Sequence, residues 1–302
     1  MQKPYAPRNP HFALFMSLFL PGFGQLYNGE PNKAIWVFLI FSLLFIPGSA
    51  LVALHLPSFL VVPALFTGLA LALAVWLYGM IDAWRSARRS QDYVARSWQS
   101  SGLYALVFLI CNTLALPALI GYVRAHEVES FRIPSKSMEP GIVHGDVIFA
   151  DKRYNCPGCK EEVRRGDIAI FIYPNDRTKY YIKRIIGLPG DHVAIKGRIV
   201  TVNGRPLTVK QEKSDSGILV TESVDGKTWH AAWTQSSGKT PEADERIPPG
   251  QVFVIGDNRG ESVDSRFFGT VPLQDVVGKA RQIWFSKGSR GIRWARFGKV
   301  PE

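Results

Sequence analysis

The sequence predicts an N-terminal α-helical transmembrane region followed by a mainly-β domain, and three observations support that assignment. Before Arg124, three long runs carry no charge: Trp36 to Leu54, Ser58 to Met80 and Gly102 to Val123. From Gly145 onward, short β-branched and aromatic runs alternate with turn residues. Between the two regions lies Pro134-Ser135-Lys136-Ser137-Met138-Glu139-Pro140, a polar stretch bracketed by prolines a few residues past the third run.

Each uncharged run is long enough to cross roughly 30 Å of hydrocarbon, and three in one half argue against buried helices of a soluble protein. A cleaved secretory peptide is not expected. Met1 to Pro10 holds three prolines, and the apolar stretch after it runs to Gly22 and Gly24 without a small-residue cleavage site. Phe12 to Leu20 is too short for a span and is broken by Pro21-Gly22, so it is expected to be interfacial or re-entrant. Residues 1–86 thus form a polytopic module with spans at 36–54 and 58–80, residues 87–101 a cytoplasmic connector, and residues 102–123 a transmembrane anchor. Pro21-Gly22-Phe23-Gly24-Gln25-Leu26-Tyr27-Asn28-Gly29, with Asp82-Ala83-Trp84-Arg85, resembles a widespread family of small membrane modules whose function is poorly defined.

Arg85, Arg88, Arg89 and Arg96 flank the second and third spans and mark the cytoplasmic side, which puts residues 124–302 on the outer face. The net charge of +11 does not point to nucleic acid, because the basic residues are scattered and no nucleic-acid motif occurs. Attraction to anionic lipid headgroups is the economical account. Of three cysteines, Cys111 lies in a span as packing, while Cys156-Pro157-Gly158-Cys159 in the outer part suits a local disulfide. A zinc site would need two more ligands, and His144 and His192 are not at ligand spacing.

In the outer domain Asp146 to Ala150, Asp167 to Ile172 and Gln251 to Ile255 read as strands. Asn203-Gly204 reads as a hairpin turn between Ile199 to Val202 and Leu207 to Val209. Residues 213–245, rich in Ser, Thr, Lys, Asp and Glu, read as an insertion, partly flexible, with one weak strand. The tail from Arg290 to Phe297 mixes aromatics with cations, as segments at a lipid interface do, while Trp284 suits a last core strand.

A serine hydroxyl is a poor nucleophile at neutral pH and needs a base and an oxyanion site beside it. The six histidines show no recurring acidic partner, which argues against a Ser-His-Asp triad. Lys183, in Tyr180-Tyr181-Ile182-Lys183-Arg184-Ile185-Ile186-Gly187, is a β-prone alternative. A free amine has a pKa of ~10.4, and burial, with help from Arg184 if close in space, would push it down toward a useful base.

Ser135-Lys136-Ser137-Met138-Glu139-Pro140, Arg165-Gly166-Asp167-Ile168, Tyr181 to Asp191, and Gly256-Asp257-Asn258-Arg259 through Asp264-Ser265-Arg266 together resemble bacterial signal peptidase I, over most of residues 130–286. The resemblance implies a mainly-β catalytic domain of that type, acting as a membrane-bound serine endopeptidase. Its substrates would be exported preproteins, cut after small residues of an Ala-x-Ala kind. Ser137 would attack, Lys183 would be the neutral general base, and Ser135 Oγ with the Ser137 amide would form the oxyanion hole. Ser262 would orient the lysine amine, while Asp257, Arg184, Asp264 and Arg266 would brace the site. Met138 would contribute to the substrate groove, with Phe131, Ile133 and Ile148 as candidate walls. No metal or organic cofactor is implied, the partners are signal peptides and the lipid bilayer, and the place is the outer face of the bacterial inner membrane.

The chain departs from that pattern at Lys136, where glycine is common, at Gly141, where threonine is common, at Gly260-Glu261, and in its polytopic first half. The rivals are a self-cleaving Ser/Lys peptidase, a catalytically silent membrane scaffold and a thiol oxidoreductase built on the CPGC pair.

Overall fold

A computed structural model of the chain describes residues 7–45, 48, 52, 54–90, 93–155, 158–159, 161–214, 217–234 and 241–301. It falls into two units, Met1–Arg124 and Ala125–Glu302.

In the first unit, Asn9 Oδ1 accepts from the amides of His11 (2.9 Å) and Phe12 (3.2 Å), capping α1 (Pro10–Phe19) with proline at its first position. Gly22, at φ +87°, turns the chain into α2 (Phe23–Tyr27); a Cβ there would fall on the Ala34 carbonyl. α3 (Pro31–Phe45) and α4 (Ser58–Arg89) follow. α5 (Ser101–Ile110) runs through a π turn (Cys111–Ala115) into α6 (Leu116–His126). At the π turn Asn112 Nδ2 donates to the Phe108 carbonyl (2.9 Å) and Thr113 Oγ1 to that of Leu109 (2.7 Å).

The two sequence stretches that resemble a membrane module meet in this unit. Gln25 Nε2 donates to the Gly79 carbonyl (2.7 Å) and to Asp82 Oδ2 (3.2 Å), Asn28 Nδ2 to the Ala83 carbonyl (2.7 Å), and the Gly24 amide to Ser17 Oγ (3.0 Å). They therefore form the seam between helices, joined by polar side chains and by a close glycine approach. Phe59–Arg89 and Ser101–His126 are long and apolar enough to cross a membrane. The stretch expected at 36–54 is described as a helix only to Phe45; most of the rest, like Met1 to Ala6, lies outside the described residues. Phe12 to Phe19 of the stretch Phe12 to Leu20 lie in the short apolar helix Pro10–Phe19, and Leu20 is extended.

The second unit is mainly β. Its strands are β1 (Val128–Arg132), β2 (Asp146–Asp151), β3 (Ile168–Ile172), β4 (Tyr180–Gly187), β5 (His192–Lys196), β6 (Ile199–Val202), β7 (Arg205–Pro206), β8 (Thr208–Ser214), β9 (Gly217–Val224), β10 (Lys227–Thr234), β11 (Ala243–Arg246), β12 (Gln251–Ile255), β13 (Val271–Pro272), β14 (Val276–Gly288) and β15 (Gly291–Ile292). An eight-stranded sheet runs β1-β2-β14-β3-β4-β12-β13 with β15 on β14; β10-β9-β8 and β11-β5-β6-β7 form two smaller sheets. One core packs Ile133, Met138, Ile142, Ile148, Ile170 and Ile283; another packs Phe171, Ile185, Val252 and Val254.

β4 is an interior strand, pairing Ala169 with Lys183 on one side and Ile255 with Arg184 on the other. Successive strand residues face opposite ways, so Lys183 and Arg184 project to different faces of the sheet.

Residues 213–245 differ from the flexible insertion expected. β9 and β10 are eight-residue strands in full register, from Lys227 opposite Val224 to Thr234 opposite Gly217, and β11 pairs with β5. The polar composition hid an alternation in which Val220, Trp229, Ala231 and Trp233 share a buried face. Asp225 and Gly226, at φ +51° and +79°, make the same tight turn as Asn203-Gly204. Residues 235–240 lie outside the described residues.

Phe171 is fully buried and touches the rings of Tyr181 and Phe268 at centroid distances of 6.3 Å each. Phe171→Ala is expected to cost about 3 to 5 kcal/mol of stability, read as a lower urea midpoint for the full chain in detergent.

Candidate active site

Ser137 follows β1 in a loop whose backbone closes on itself, Glu139 N donating to Lys136 O (3.0 Å) and Ile142 N to Met138 O (3.0 Å). Its side chain is buried and meets Lys183 from β4: Nζ lies 2.7 Å from Ser137 Oγ and 3.0 Å from the Ile182 carbonyl. Ser135 Oγ, on the exposed side, is 3.2 Å from Ser137 Oγ. The Tyr181 ring lies 5.5 Å from the amine.

Burial, opposed by Asp264 and Asp257 and assisted by Arg266, pushes the Lys183 amine down to about 8. Below that value the amine is charged; above it, its lone pair is free to take a proton from the hydroxyl 2.7 Å away. The sequence expected Arg184 to help depress it. Arg184 instead projects to the other face and is used up there, Nε and Nη2 forking onto Asp257 (2.8 and 2.7 Å) and Nη1 donating to the Gly166 carbonyl (2.7 Å).

The segment after β12 closes the site. Asp264 caps the short helix α7 (Ser265–Phe268) and takes a fork from Arg266, 2.8 Å at each oxygen, and the Gly256 amide at 2.9 Å. Against the effect of burial, these donors hold Asp264 below the usual carboxylate range. Asn258, outside the expected set, bonds to the backbone of the loop that carries Ser137. Its amide donates to the Ser137 carbonyl (3.1 Å) and its Nδ2 to that of Lys136 (3.2 Å). A Cβ on Gly256 would fall on Ser262 Oγ and on the Ser137 carbonyl, so only glycine permits this approach.

Ser262 lies beside Asp264, whose carboxylate its hydroxyl helps to hold low, and is not among the groups bonded to the Lys183 amine. Met138 is fully buried in the core with Ile133 and Ile148, which leaves its side chain no surface for a substrate; it supports the loop from beneath. Of the proposed walls, Phe131 is half-buried and meets the ring of Tyr180 at 5.6 Å. Lys136 is exposed and is not among the groups that set the Lys183 amine.

Elsewhere, Cys159 is disulfide-bonded, Cys156 lies outside the described residues, and Cys111 is free. Among the described residues no cluster of three or more His, Cys, Asp or Glu could hold a metal ion. In the tail Trp294 is exposed, but Arg296 forks inward onto Asp146 and the Gly141 carbonyl (2.8 Å), and Trp284 stacks on Phe149 at 5.5 Å.

A family model described as signal peptidase, peptidase S26, matches residues 105–285. A signal peptidase I from Pseudomonas aeruginosa is 34% identical, the match covering 54% of this chain and 67% of the relative. One from Rickettsia typhi is 33% identical over 60% of this chain and 78% of its own length. Among solved structures, a signal peptidase I from Enterococcus faecalis is 27% identical over 39% of this chain and 97% of its own, with a TM-score of 0.27, a likeness too slight to bear on the fold.

Burying Lys183 makes stability depend on pH with a defined sign. Its folded value of about 8 lies below the unfolded one, so between the two the unfolded chain holds a proton the folded chain lacks. Stability therefore rises with pH from about 8 to about 10.5, by roughly 3 kcal/mol in all. Between pH 7 and 10.5 the wild type is expected to gain about that much more than Lys183→Met in urea unfolding; equal slopes would show that the amine is not desolvated.

Proposed function

This chain belongs to the signal peptidase family, peptidase S26, and from that premise we propose that it removes signal peptides from exported preproteins with a Ser137/Lys183 dyad. The observation that carries the proposal is a buried amine held 2.7 Å from a buried serine hydroxyl, with its pKa pushed down to about 8. Neutral Lys183 takes the Ser137 proton as Oγ attacks the scissile carbonyl. The tetrahedral oxyanion is met by the Ser135 hydroxyl and the Ser137 amide. The ammonium then protonates the leaving amine, and Lys183, neutral again, activates the water that hydrolyses the acyl-enzyme. Asp257, Arg184, Asp264 and Arg266 hold charge and backbone in place. Ser262, whose hydroxyl helps to hold the Asp264 carboxylate low, would orient the Lys183 amine.

The substrate would carry small side chains at the first and third positions before the cut, as in Ala-x-Ala. Segments 36–54, 58–80 and 102–123 would anchor the chain as a multi-pass protein, with residues 87–101 in the cytoplasm and residues 124–302 on the outer face of the bacterial inner membrane. Enzyme and preprotein would then meet within one lipid layer, which partly sets the register of the cleavage site before binding.

Purified full-length protein is expected to cleave a preprotein bearing an Ala-x-Ala site, and Ser137→Ala and Lys183→Ala to lower kcat by about three orders of magnitude or more. Lys183→Arg should be equally inactive, since a guanidinium stays protonated. In the wild type kcat/KM should rise about tenfold per pH unit below about 8 and level off above it; normal processing by either alanine variant overturns the dyad. For topology, added protease should spare Met1 to Pro10 in right-side-out vesicles, and cleavage there would reverse the orientation.

A further inference from the structure

The loop that fixes Ser137 is itself held from a distant sheet. Glu222 lies on β9, opposite Trp229 of β10, and its side chain is fully buried. It accepts a fork from Arg259, Nη1 to Oε1 at 2.6 Å and Nη2 to Oε2 at 2.5 Å, while Trp229 Nε1 donates to Oε2 at 3.0 Å. Arg259 is equally buried, and its Nε donates to the Gly256 carbonyl (3.1 Å).

The end of β10 continues the attachment. Arg259 N donates to the Ala232 carbonyl (2.7 Å), Ala232 N to that of Asp257 (2.8 Å), and Thr234 Oγ1 to Asn258 Oδ1 (2.7 Å). Asn258 then donates to the carbonyls of Ser137 and Lys136. The same loop carries Asp257, one of the charges acting on Lys183. A chain of hydrogen bonds thus runs from a carboxylate on the β8–β10 sheet to the backbone of the serine.

A buried ion pair is a poor means of adding stability, because desolvating both charges offsets most of their attraction, and apolar residues of similar volume often do as well or better. A two-point fork does fix direction and register. We propose that Glu222 is a positioning residue for the peptidase reaction, setting the 256–260 loop through Arg259 and so the placement of Ser137. The proposal rests on Ser137 being the nucleophile.

The test uses the full-length chain in detergent and a preprotein with an Ala-x-Ala site, at a temperature where circular dichroism shows each variant folded. Glu222→Gln, nearly isosteric, is expected to lower kcat at least tenfold with KM within threefold. The double variant Glu222→Met/Arg259→Met should melt at or above the wild-type temperature yet keep the low kcat, a separation that a purely structural role would not produce. Wild-type kcat in the folded double variant overturns the positioning role. So does wild-type kcat in Glu222→Gln, whether or not the double variant folds. Ser137→Ala is run alongside: retained cleavage there removes the dyad itself, whereas loss of cleavage there with full activity in both Glu222 variants removes only the positioning role.

Discussion

The arrangement depends on one constraint: an amine must lose its water and still keep a hydrogen bond to a serine hydroxyl. Lys183 meets it by sitting on an interior strand, with β3 and β12 covering its flanks and the Ile182 carbonyl holding one of its protons. Desolvation is the largest influence on that amine, and the carboxylates of Asp264 and Asp257 act against it. Too much burial would destabilise the fold whenever the amine is charged; too little would leave it protonated at working pH. A value near 8 lies between these extremes.

The carboxylates needed near such a site are kept from dominating it by pairing each with a guanidinium. Asp264 is paired with Arg266, Asp257 with Arg184 and Glu222 with Arg259, every partner nearly or fully buried. Neutralised in this way, they direct backbone groups without adding a large net field at the amine. The architecture explains why such polar residues crowd into the interior of a mainly-β domain: they orient the 256–266 segment, and that segment holds the Ser137 carbonyl and covers the dyad.

The first unit follows a separate logic. Its unusual residues, Gln25, Asn28, Gly24 and Ser17, bond helix to helix. Such directional bonds fix which helix faces meet, which apolar contacts alone do not. The π turn in the last long helix is likewise satisfied internally, by Asn112 and Thr113.

Much of the fold and site was legible because it rests on local or additive signals. Uncharged runs, strand alternation, the Asn203-Gly204 turn and the blocks around Ser137 and Lys183 needed no knowledge of contacts. The β9–β10 hairpin was also written in the chain, as Asp225-Gly226 between alternating residues, but its polar outer face masked the pattern. What no reading of one strand could decide is which face each neighbour serves. Arg184 looked like an aid to Lys183 because the two are adjacent, yet the pleat sends them apart. Met138 looked available to substrate because it follows the serine, yet the loop folds it under. Sequence by itself determined the residue types and the strand periods, since these depend on local chemistry, and through the resemblance of its motifs it pointed to the candidate dyad. Only the tertiary structure decided that Asn258 and Glu222 hold the serine in place, because hydrogen bonds between residues far apart in the chain exist only once the sheets have met.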